Sequence, residues 1–287
     1  MNLKITKMNG TGNSFILIDN RDFIITDGSS LAKDLCNVNF GIGADGMILV
    51  EPSKEFDIRM RIFNSDGSEP EMCGNGIRCF TYFLNRLGVQ PIQNETYNIE
   101  TLAGLIKTRI VSIENATAQV EVDMGRPVFQ SIDFADPAVS NSFETFSQIQ
   151  LDNRNYILIS MGNPHAVTFV EDYNFPYVQL GASIQKNEAL FPNGINVEFV
   201  KIMKGSGELE MRVWERGCGE TLACGTGACA SVVAATVRSL LKRGKTIKVH
   251  LKGGSLNIRW QKNDHVIMQG PAQYVFDGVY SMRYEYV

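Results

Sequence analysis

One short pattern occurs twice in the chain, as Cys73-Gly74-Asn75-Gly76 and again as Cys224-Gly225-Thr226-Gly227. The two copies lie 151 positions apart. Nine residues before each cysteine an apolar segment ends, Met60-Arg61-Ile62-Phe63-Asn64 in the first copy and Met211-Arg212-Val213-Trp214-Glu215 in the second. A repeat of this length, with its elements in the same order, indicates two copies of one domain.

The repeat extends in both directions from this pattern. Gly12-Asn13 and the apolar run after it match Gly162-Asn163 and its apolar run, and Met124-Gly125-Arg126-Pro127 is echoed by Met268-Gln269-Gly270-Pro271. These matches predict a first domain of residues 1–127, completed by a strand-forming tail of residues 272–287, and a second domain of residues 128–271.

Most of the chain has the alternating, β-branched pattern of strands, which we predict at 58–63, 108–122, 156–160, 197–203, 209–214 and 246–251. Helical apolar spacing predicts helices at 79–87 and 228–241, each just after a Cys-Gly-x-Gly pattern, with Gly88 and Gly244 as stops. We therefore predict an α/β (α+β) fold of two pseudo-symmetric domains from an internal duplication. In each domain the strands wrap around a central helix.

The position of the two patterns favours reactive cysteines. A helix start offers unpaired backbone N–H groups and a partial positive charge, and both stabilise an anion. A cysteine there should have a lowered thiol pKa. If the two helix starts converge across a cleft between the domains, Cys73 and Cys224 face each other and the same N–H groups can hold a carboxylate.

That arrangement fits the inversion of an amino-acid α-carbon. One sulfur removes a proton from one face and the other returns a proton to the opposite face. N–H groups at the carboxylate stabilise the carbanion. The scheme predicts an epimerase that needs no metal and no pyridoxal cofactor.

A Cys-Gly-x-Gly pattern on its own is more often a tight turn than a site, and it is the repetition that favours catalysis. Cys79 and Cys229, inside the helices, are expected to be core residues. Cys36 has no counterpart in the second copy. Cys218, in a Gly-Cys-Gly loop, competes with Cys224, but only Cys224 aligns with Cys73.

Composition limits the partners. The formal net charge is −4, with 27 Lys and Arg against 31 Asp and Glu, so nucleic acid and anionic membranes are not expected to bind. The N-terminus lacks the apolar region of a signal peptide, and no apolar run could cross a bilayer. We expect a cytoplasmic protein, in which the six cysteines are free, catalytic or metal-binding and do not form a framework of structural disulfides.

The sequence resembles the diaminopimelate epimerases over essentially its whole length. The matching stretches are 7–15, 41–46, 63–68, 72–79, 162–165, 196–199, 214–217 and 223–228. The resemblance implies interconversion of LL- and meso-diaminopimelate without a cofactor, on the way to lysine and peptidoglycan, by a homodimer. Two residues depart from common patterns of the family. Some members have a polar residue at the position of Gly46, and a small neutral residue is more usual at the position of Cys218.

The resemblance also implies roles for particular residues. Cys73 and Cys224 are the acid/base pair. The reacting carboxylate is held by Gly74, Asn75, Gly225 and Thr226. The distal amino-acid end of the substrate is bound by Asn13, Asn64, Asn163, Asn196, Glu215 and Arg216. His165 is a possible supporting residue, and no residue is assigned to a metal.

Two alternatives stay open at the level of the sequence. The first keeps the chemistry and changes the substrate, as in a racemase of histidine or another amino acid in the same superfamily. The second is a zinc-binding or thiol-redox module. The spacing of Cys73 and Cys79 suits neither a zinc site nor a Cys-x-x-Cys redox motif.

Overall fold

The structure is a computed structural model that describes residues 2–92, 95–129 and 148–281. Within these ranges its helices are α1 (Gly28–Cys36), α2 (Gly74–Arg86), α3 (Tyr177–Gln185) and α4 (Gly225–Val237). Its strands are β1 (Asn2–Gly10), β2 (Asn13–Asp19), β3 (Gly46–Glu51), β4 (Ile58–Asn64), β5 (Thr96–Thr101), β6 (Gly104–Glu114), β7 (Thr117–Asp123), β8 (Gln148–Leu151), β9 (Arg154–Ser160), β10 (Pro164–Phe169), β11 (Asn196–Ile202), β12 (Leu209–Glu215), β13 (Gly219–Glu220), β14 (Thr246–Leu251), β15 (Gly254–Trp260) and β16 (Val266–Ser281).

The chain divides into two compact units. Unit 1 is Met1–Val122 with Gln269–Val287, and unit 2 is Asp123–Met268. Residues 130–147 of the predicted second domain and residues 282–287 of the predicted tail lie outside the described residues. The boundaries 1–127 and 128–271 stay a prediction of where the duplication divides.

Unit 1 is a sheet that closes on itself around a helix. Its strands run in the order β1-β2-β3-β4-β5-β6-β7-β16, and β16 also pairs with β1 in an antiparallel register from Asn2 opposite Ser281 to Asn9 opposite Gln273. Helix α2 packs against β1, β2, β3, β4 and β6. Its residues from Gly74 to Leu84 are all buried, because a helix enclosed by strands has no solvent face.

Unit 2 repeats this plan. Its strands follow the order β16-β15-β14-β12-β11-β10-β9-β8, starting from the first residues of β16, and β13 pairs with β12. Helix α4 packs against β9, β10, β11, β12 and β15. The predicted fold class, strands wrapped around a central helix in two copies, is confirmed.

A second helix covers the other face of the strands that carry the functional side chains. In unit 1, α1 and α2 both pack against β3, and all six residues of β3 are buried. In unit 2, α3 and α4 both pack against β11, whose first five residues are buried. A side chain on β3 or β11 therefore points into packed protein whichever face it occupies.

Three sequence predictions differ from the structure, and two helices were not predicted. Helix α2 begins at Gly74 and α4 at Gly225, so each helix includes the glycines that were expected to precede it, and α4 ends at Val237. Helices α1 and α3 were not predicted. Residues 108–122 form two strands, β6 and β7, because Asn115 takes a positive φ of 54° and turns the chain.

Candidate functional site

Both predicted catalytic cysteines are the N-cap residues of the central helices. Cys73 precedes α2 with φ −134° and ψ 118°, and its Sγ accepts the Gly76 N–H at 3.4 Å. Cys224 precedes α4 with φ −118° and ψ 111°, and its Sγ accepts the Gly227 N–H at 3.4 Å. Each sulfur thus takes the place of a capping oxygen, at the positive end of a helix of 13 residues.

In unit 1 the predicted residues Asn13, Cys73 and Asn75 lie together. The Cys73 thiol donates to Asn13 Oδ1 at 3.8 Å, and Asn75 Nδ2 donates to the same oxygen at 3.5 Å. Asn13 Nδ2 in turn donates to Asp45 Oδ2 at 2.9 Å. Asp45, which the sequence did not single out, therefore fixes the orientation of the Asn13 amide. Gly74, the first residue of α2, is buried beside them.

A buried arginine supports this helix start. Arg78 is fully buried, and it donates to Gly74 O at 2.9 Å and to Asn75 Oδ1 at 3.0 Å. It also donates to Thr11 Oγ1 at 2.5 Å and to Pro271 O at 3.1 Å. One guanidinium thus holds the α2 start against β16 and the turn between β1 and β2. Arg78 could have been identified from the sequence, because it is a charged residue on the apolar side of a helix.

Asn64 ends β4 and is held within its own turn. Its Nδ2 donates to Ser68 Oγ at 2.9 Å. Gly46 lies opposite Asn64 in the β3–β4 register. A Cβ at Gly46 would come within 2.7 Å of Phe63 O, so any side chain at this position requires the backbone to shift.

The surroundings of Cys224 in unit 2 are more buried and more acidic. Cys224 is 4% exposed, and its Sγ lies 3.4 Å from Thr226 Oγ1. Burial raises the pKa of the Cys224 thiol well above its usual value, and the nearby carboxylates of Glu215 and Glu198 raise it further. Burial also raises the pKa of Glu215, opposed by hydrogen bonds from Thr221 and Cys224.

His165 joins two side chains behind this helix start. Its Nδ1 lies 2.6 Å from Glu198 Oε1, and its Nε2 lies 3.0 Å from Asn163 Oδ1. The side chains of His165 and Glu198 are completely buried. Asn163 and His165, both predicted from the sequence, are therefore brought together. Glu198 was missed as a site residue, although a carboxylate among apolar neighbours in Asn196–Ile202 was a usable signal.

Asn196 connects the remaining predicted residues of unit 2. Its Nδ2 donates to Pro164 O at 2.9 Å, and its Oδ1 accepts the Arg216 N–H at 2.9 Å. Arg216 is exposed, and its guanidinium donates to Asn193 O at 3.3 Å. Thr221 Oγ1 donates to Glu215 Oε1. The backbone between Glu215 and Arg216 is thus fixed while the guanidinium faces solvent.

The other cysteines have environments unlike those of Cys73 and Cys224. Burial raises the pKa of both Cys36 and Cys79 to about 12. Cys229 is also buried, and Cys218 is exposed. The expectation that Cys79 and Cys229 are core residues is confirmed.

Two surveys of the described ranges bear on other kinds of site. Across residues 2–92, 95–129 and 148–281, no three His, Cys, Asp or Glu side chains form a group that could hold a metal ion. No helix in the same ranges combines the length and the apolar character needed to cross a bilayer.

Solved structures share this fold. A PhzF-family phenazine biosynthesis protein from Bacillus anthracis aligns with a TM-score of 0.70 at 18% identity, over 98% of this chain and 100% of that one. A hydroxyproline epimerase from Agrobacterium vitis aligns with a TM-score of 0.67 at 15% identity, over 97% of this chain and 92% of that one. These likenesses place the chain in this structural class by its duplicated fold, in which each central helix here follows a cysteine.

Sequence comparison identifies the family within that class. The sequence model of the family described as "Diaminopimelate epimerase" matches residues 5–130 and 157–275. Curated proteins named diaminopimelate epimerase are 48% identical in Halothermothrix orenii, over 97% of this chain and 98% of the relative, and 45% identical in Desulfitobacterium hafniense, over 96% and 98%. The chain belongs to the diaminopimelate epimerase family.

Proposed function

We propose that this enzyme interconverts LL- and meso-2,6-diaminopimelate, in the synthesis of lysine and peptidoglycan precursors. Membership of the family and relatives named for this activity support the substrate. The observation that carries the chemistry is that Cys73 and Cys224 each N-cap the central helix of their own unit with the same Sγ geometry.

In the proposed reaction one cysteine enters as thiolate and the other as thiol. The thiolate removes the α-proton and becomes a thiol, and the second thiol gives its proton to the opposite face and becomes a thiolate. The charge of the enzyme is unchanged, and the two sulfurs exchange roles for the reverse reaction. The two cysteines between them carry out both proton transfers, so the proposal assigns no metal and no cofactor.

The α-carboxylate is proposed to bind at the two helix starts, where Gly74, Asn75, Gly225 and Thr226 supply backbone N–H groups. A helix N-terminus without acidic residues in its first turn is suited to an anion, and both α2 and α4 have none there. These donors would also stabilise the charge that develops on the carboxylate when the α-proton leaves.

For the distal end of the substrate we propose Asn13, Asn64, Asn163, Asn196, Glu215 and Arg216. The exposed guanidinium of Arg216 can pair with a carboxylate, and Glu215 can accept an ammonium group. The Arg216 backbone N–H donates to Asn196 Oδ1, and this hydrogen bond fixes the backbone from which the Glu215 and Arg216 side chains extend. His165 is proposed as a supporting residue through its contact with Asn163.

We also propose that the enzyme is cytoplasmic and acts as a homodimer. The exposed apolar side chains of Val275 and Val279 on β16, 51% and 65% exposed, support self-association through unit 1. Light scattering after gel filtration measures the mass directly. A monomer at the concentrations used for activity would contradict the dimer.

The function is tested by following loss of the α-proton signal of LL-diaminopimelate in deuterated water, with L-histidine as the competing substrate. We expect exchange on diaminopimelate and none on histidine. Cys73→Ala and Cys224→Ala should each lower the epimerisation rate by about a thousandfold or more, because each removes an acid/base group.

Cys218→Ala is the matched control, since it removes an exposed thiol from the loop before Cys224. It should keep at least about half of the wild-type rate, as is usual for a surface substitution. Exchange on histidine alone would contradict the proposed substrate. Equal damage from Cys218→Ala and Cys224→Ala would contradict the assignment of the second cysteine.

A further inference from the structure

The duplication provides an internal comparison between the two cysteine environments. Gly76 and Gly227 occupy equivalent places, since each donates its N–H to the capping sulfur. A Cβ on Gly76 would meet Ile62 Cδ1 at 3.0 Å and Ile48 Cδ1 at 3.2 Å. A Cβ on Gly227 would meet Glu198 Oε1 at 2.6 Å. Glu198 of unit 2 thus takes the place that Ile48 has in unit 1.

The same contrast holds for the strands on either side. In unit 2, four side chains lie in the region of Cys224: Glu198 from β11, Glu215 from β12, His165 from β10 and Thr226 from α4. The counterparts in unit 1, in the same order, are uncharged at every position: Ile48, Asn64, Phe15 and Asn75. Unit 1 has Arg78 in the first turns of α2, where α4 has Cys229, and its Asp45 is linked to Cys73 through the side chain of Asn13. Two carboxylates, Glu198 and Glu215, therefore act on Cys224 from strand positions whose unit 1 counterparts are uncharged.

Glu198 is held rigidly in this position. It lies on a strand that is covered on one face by α3 and on the other by α4, and it is 0% exposed. Its Oε1 is fixed by His165 Nδ1 at 2.6 Å. Its Oε2 is buried and makes no hydrogen bond with any part of the chain that the structure describes. A buried carboxylate oxygen without a donor keeps an uncompensated partial charge, which penalises a second negative charge nearby.

We propose that Glu198 is a positioning residue that keeps the sulfur of Cys224 protonated in the resting enzyme, so that in the reaction direction that starts from this state Cys224 is the acid and Cys73 the base. The catalytic roles rest on the proposed function. The protonation states do not, because they can be measured without substrate. His165 contributes by fixing the carboxylate.

The test is the pH dependence of alkylation by iodoacetamide, an uncharged reagent, with the peptides that contain Cys73 and Cys224 quantified separately by mass spectrometry. In the wild-type enzyme Cys73 should react with a lower pH midpoint than Cys224. Glu198→Gln keeps the shape and an acceptor for His165 but removes the charge. It should lower the Cys224 midpoint by about one pH unit or more and leave that of Cys73 unchanged.

Glu208→Gln is the matched control. Glu208 Oε2 lies 2.6 Å from His250 Nε2, the same separation as in the Glu198–His165 pair, and this pair lies elsewhere in unit 2. The control should leave both midpoints unchanged. Glu198→Asp, which restores a carboxylate, should return the Cys224 midpoint towards wild type. If Glu198→Gln does not fold, Glu198→Ile, which introduces the unit 1 residue, replaces it with the same expected shift.

A Cys224 midpoint that stays in place or rises on removal of the Glu198 charge overturns the proposal, as does a wild-type enzyme in which Cys224 has the lower midpoint. The proton-exchange assay is read separately. If the midpoint shifts while diaminopimelate is not epimerised, the proposed function fails and the protonation assignment stands. If diaminopimelate is epimerised without a shift, only the role of Glu198 fails.

Discussion

The two equivalent helix glycines give a sharp test of the packing at the cysteines. Gly76→Ala places a methyl group 3.0 Å and 3.2 Å from the ends of Ile62 and Ile48, which can rotate away. Alanine is favoured over glycine in a helix by up to about 1 kcal/mol. This gain should offset the small repacking cost, so the free energy of unfolding should change by less than about 1 kcal/mol.

Gly227→Ala should be far more damaging. Its methyl group would lie 2.6 Å from Glu198 Oε1 and 3.3 Å from Cys224 Sγ, and that carboxylate is held by His165 at 2.6 Å. Overpacking costs about 1–3 kcal/mol, and a displaced hydrogen bond to a charged group about 1.5–3 kcal/mol. After the helix-propensity gain, we expect a net loss of about 2–4 kcal/mol in the free energy of unfolding.

Denaturant titration measures these changes unit by unit. Both tryptophans, Trp214 and Trp260, belong to unit 2, so their fluorescence reports Gly227→Ala. Hydrogen exchange of the α2 amides reports Gly76→Ala, which avoids assuming that the two units unfold together. If Gly227→Ala lay within about 0.5 kcal/mol of wild type, or if Gly76→Ala were the worse of the two, the position assigned to the Glu198 carboxylate would be refuted.

Two further substitutions in unit 1 test how much single charged side chains contribute to stability. Burial tends to raise the pKa of Asp277, but hydrogen bonds from Thr6, Tyr274 and Arg86 outweigh this effect, so the pKa is lowered. The stabilisation from the Asp277 carboxylate is therefore present at neutral pH and is lost as the pH falls through the folded-state pKa. Asp277→Asn should therefore lower the free energy of unfolding by up to about 1 kcal/mol at neutral pH, as expected for an exposed group. In urea titrations the difference from wild type should shrink below about pH 3.9. A difference that grows on acidification would contradict this. Arg78→Met should lower the free energy of unfolding of unit 1 by about 3 kcal/mol or more, because it leaves buried acceptors at Gly74, Asn75 and Pro271 unpaired. Hydrogen exchange of the α2 amides measures this change. An exchange rate equal to that of wild type would show that these bonds contribute nothing.

The sequence predicted the parts of the fold that the duplication marks. An offset of 151 located both central helices and both capping cysteines, because glycine-rich helix starts are visible in the sequence. Helix α1 was missed although Asp27 caps it, accepting the Ser30 N–H at 3.0 Å, since Asp27-Gly28-Ser29-Ser30 also suits a turn. Helix α3 has Pro176 at its N-cap and no side-chain capping bond, so its start carries no capping signal.

For the site, the sequence predicted residues that lie in motifs and missed those that act through buried pairs. Glu198 contacts His165 from a neighbouring strand 33 positions away, and that contact exists only once β10 and β11 align in parallel. Arg78 was read as part of a motif, and its bond to Pro271 spans 193 positions. Such pairs depend on strand register and on which face a residue occupies, and neither follows from composition or periodicity.

The last strand has a consequence for how the chain is made. Unit 1 needs β16 to pair with both β1 and β7, yet β16 follows every other described strand in the chain and is therefore synthesised after them. Until then, the nascent first half exposes two unpaired strand edges, which are prone to wrong pairing. Unit 1 is therefore begun before unit 2 and completed after it. A stop codon shortly before residue 269 would leave the sheet of unit 1 open while keeping nearly all residues of unit 2.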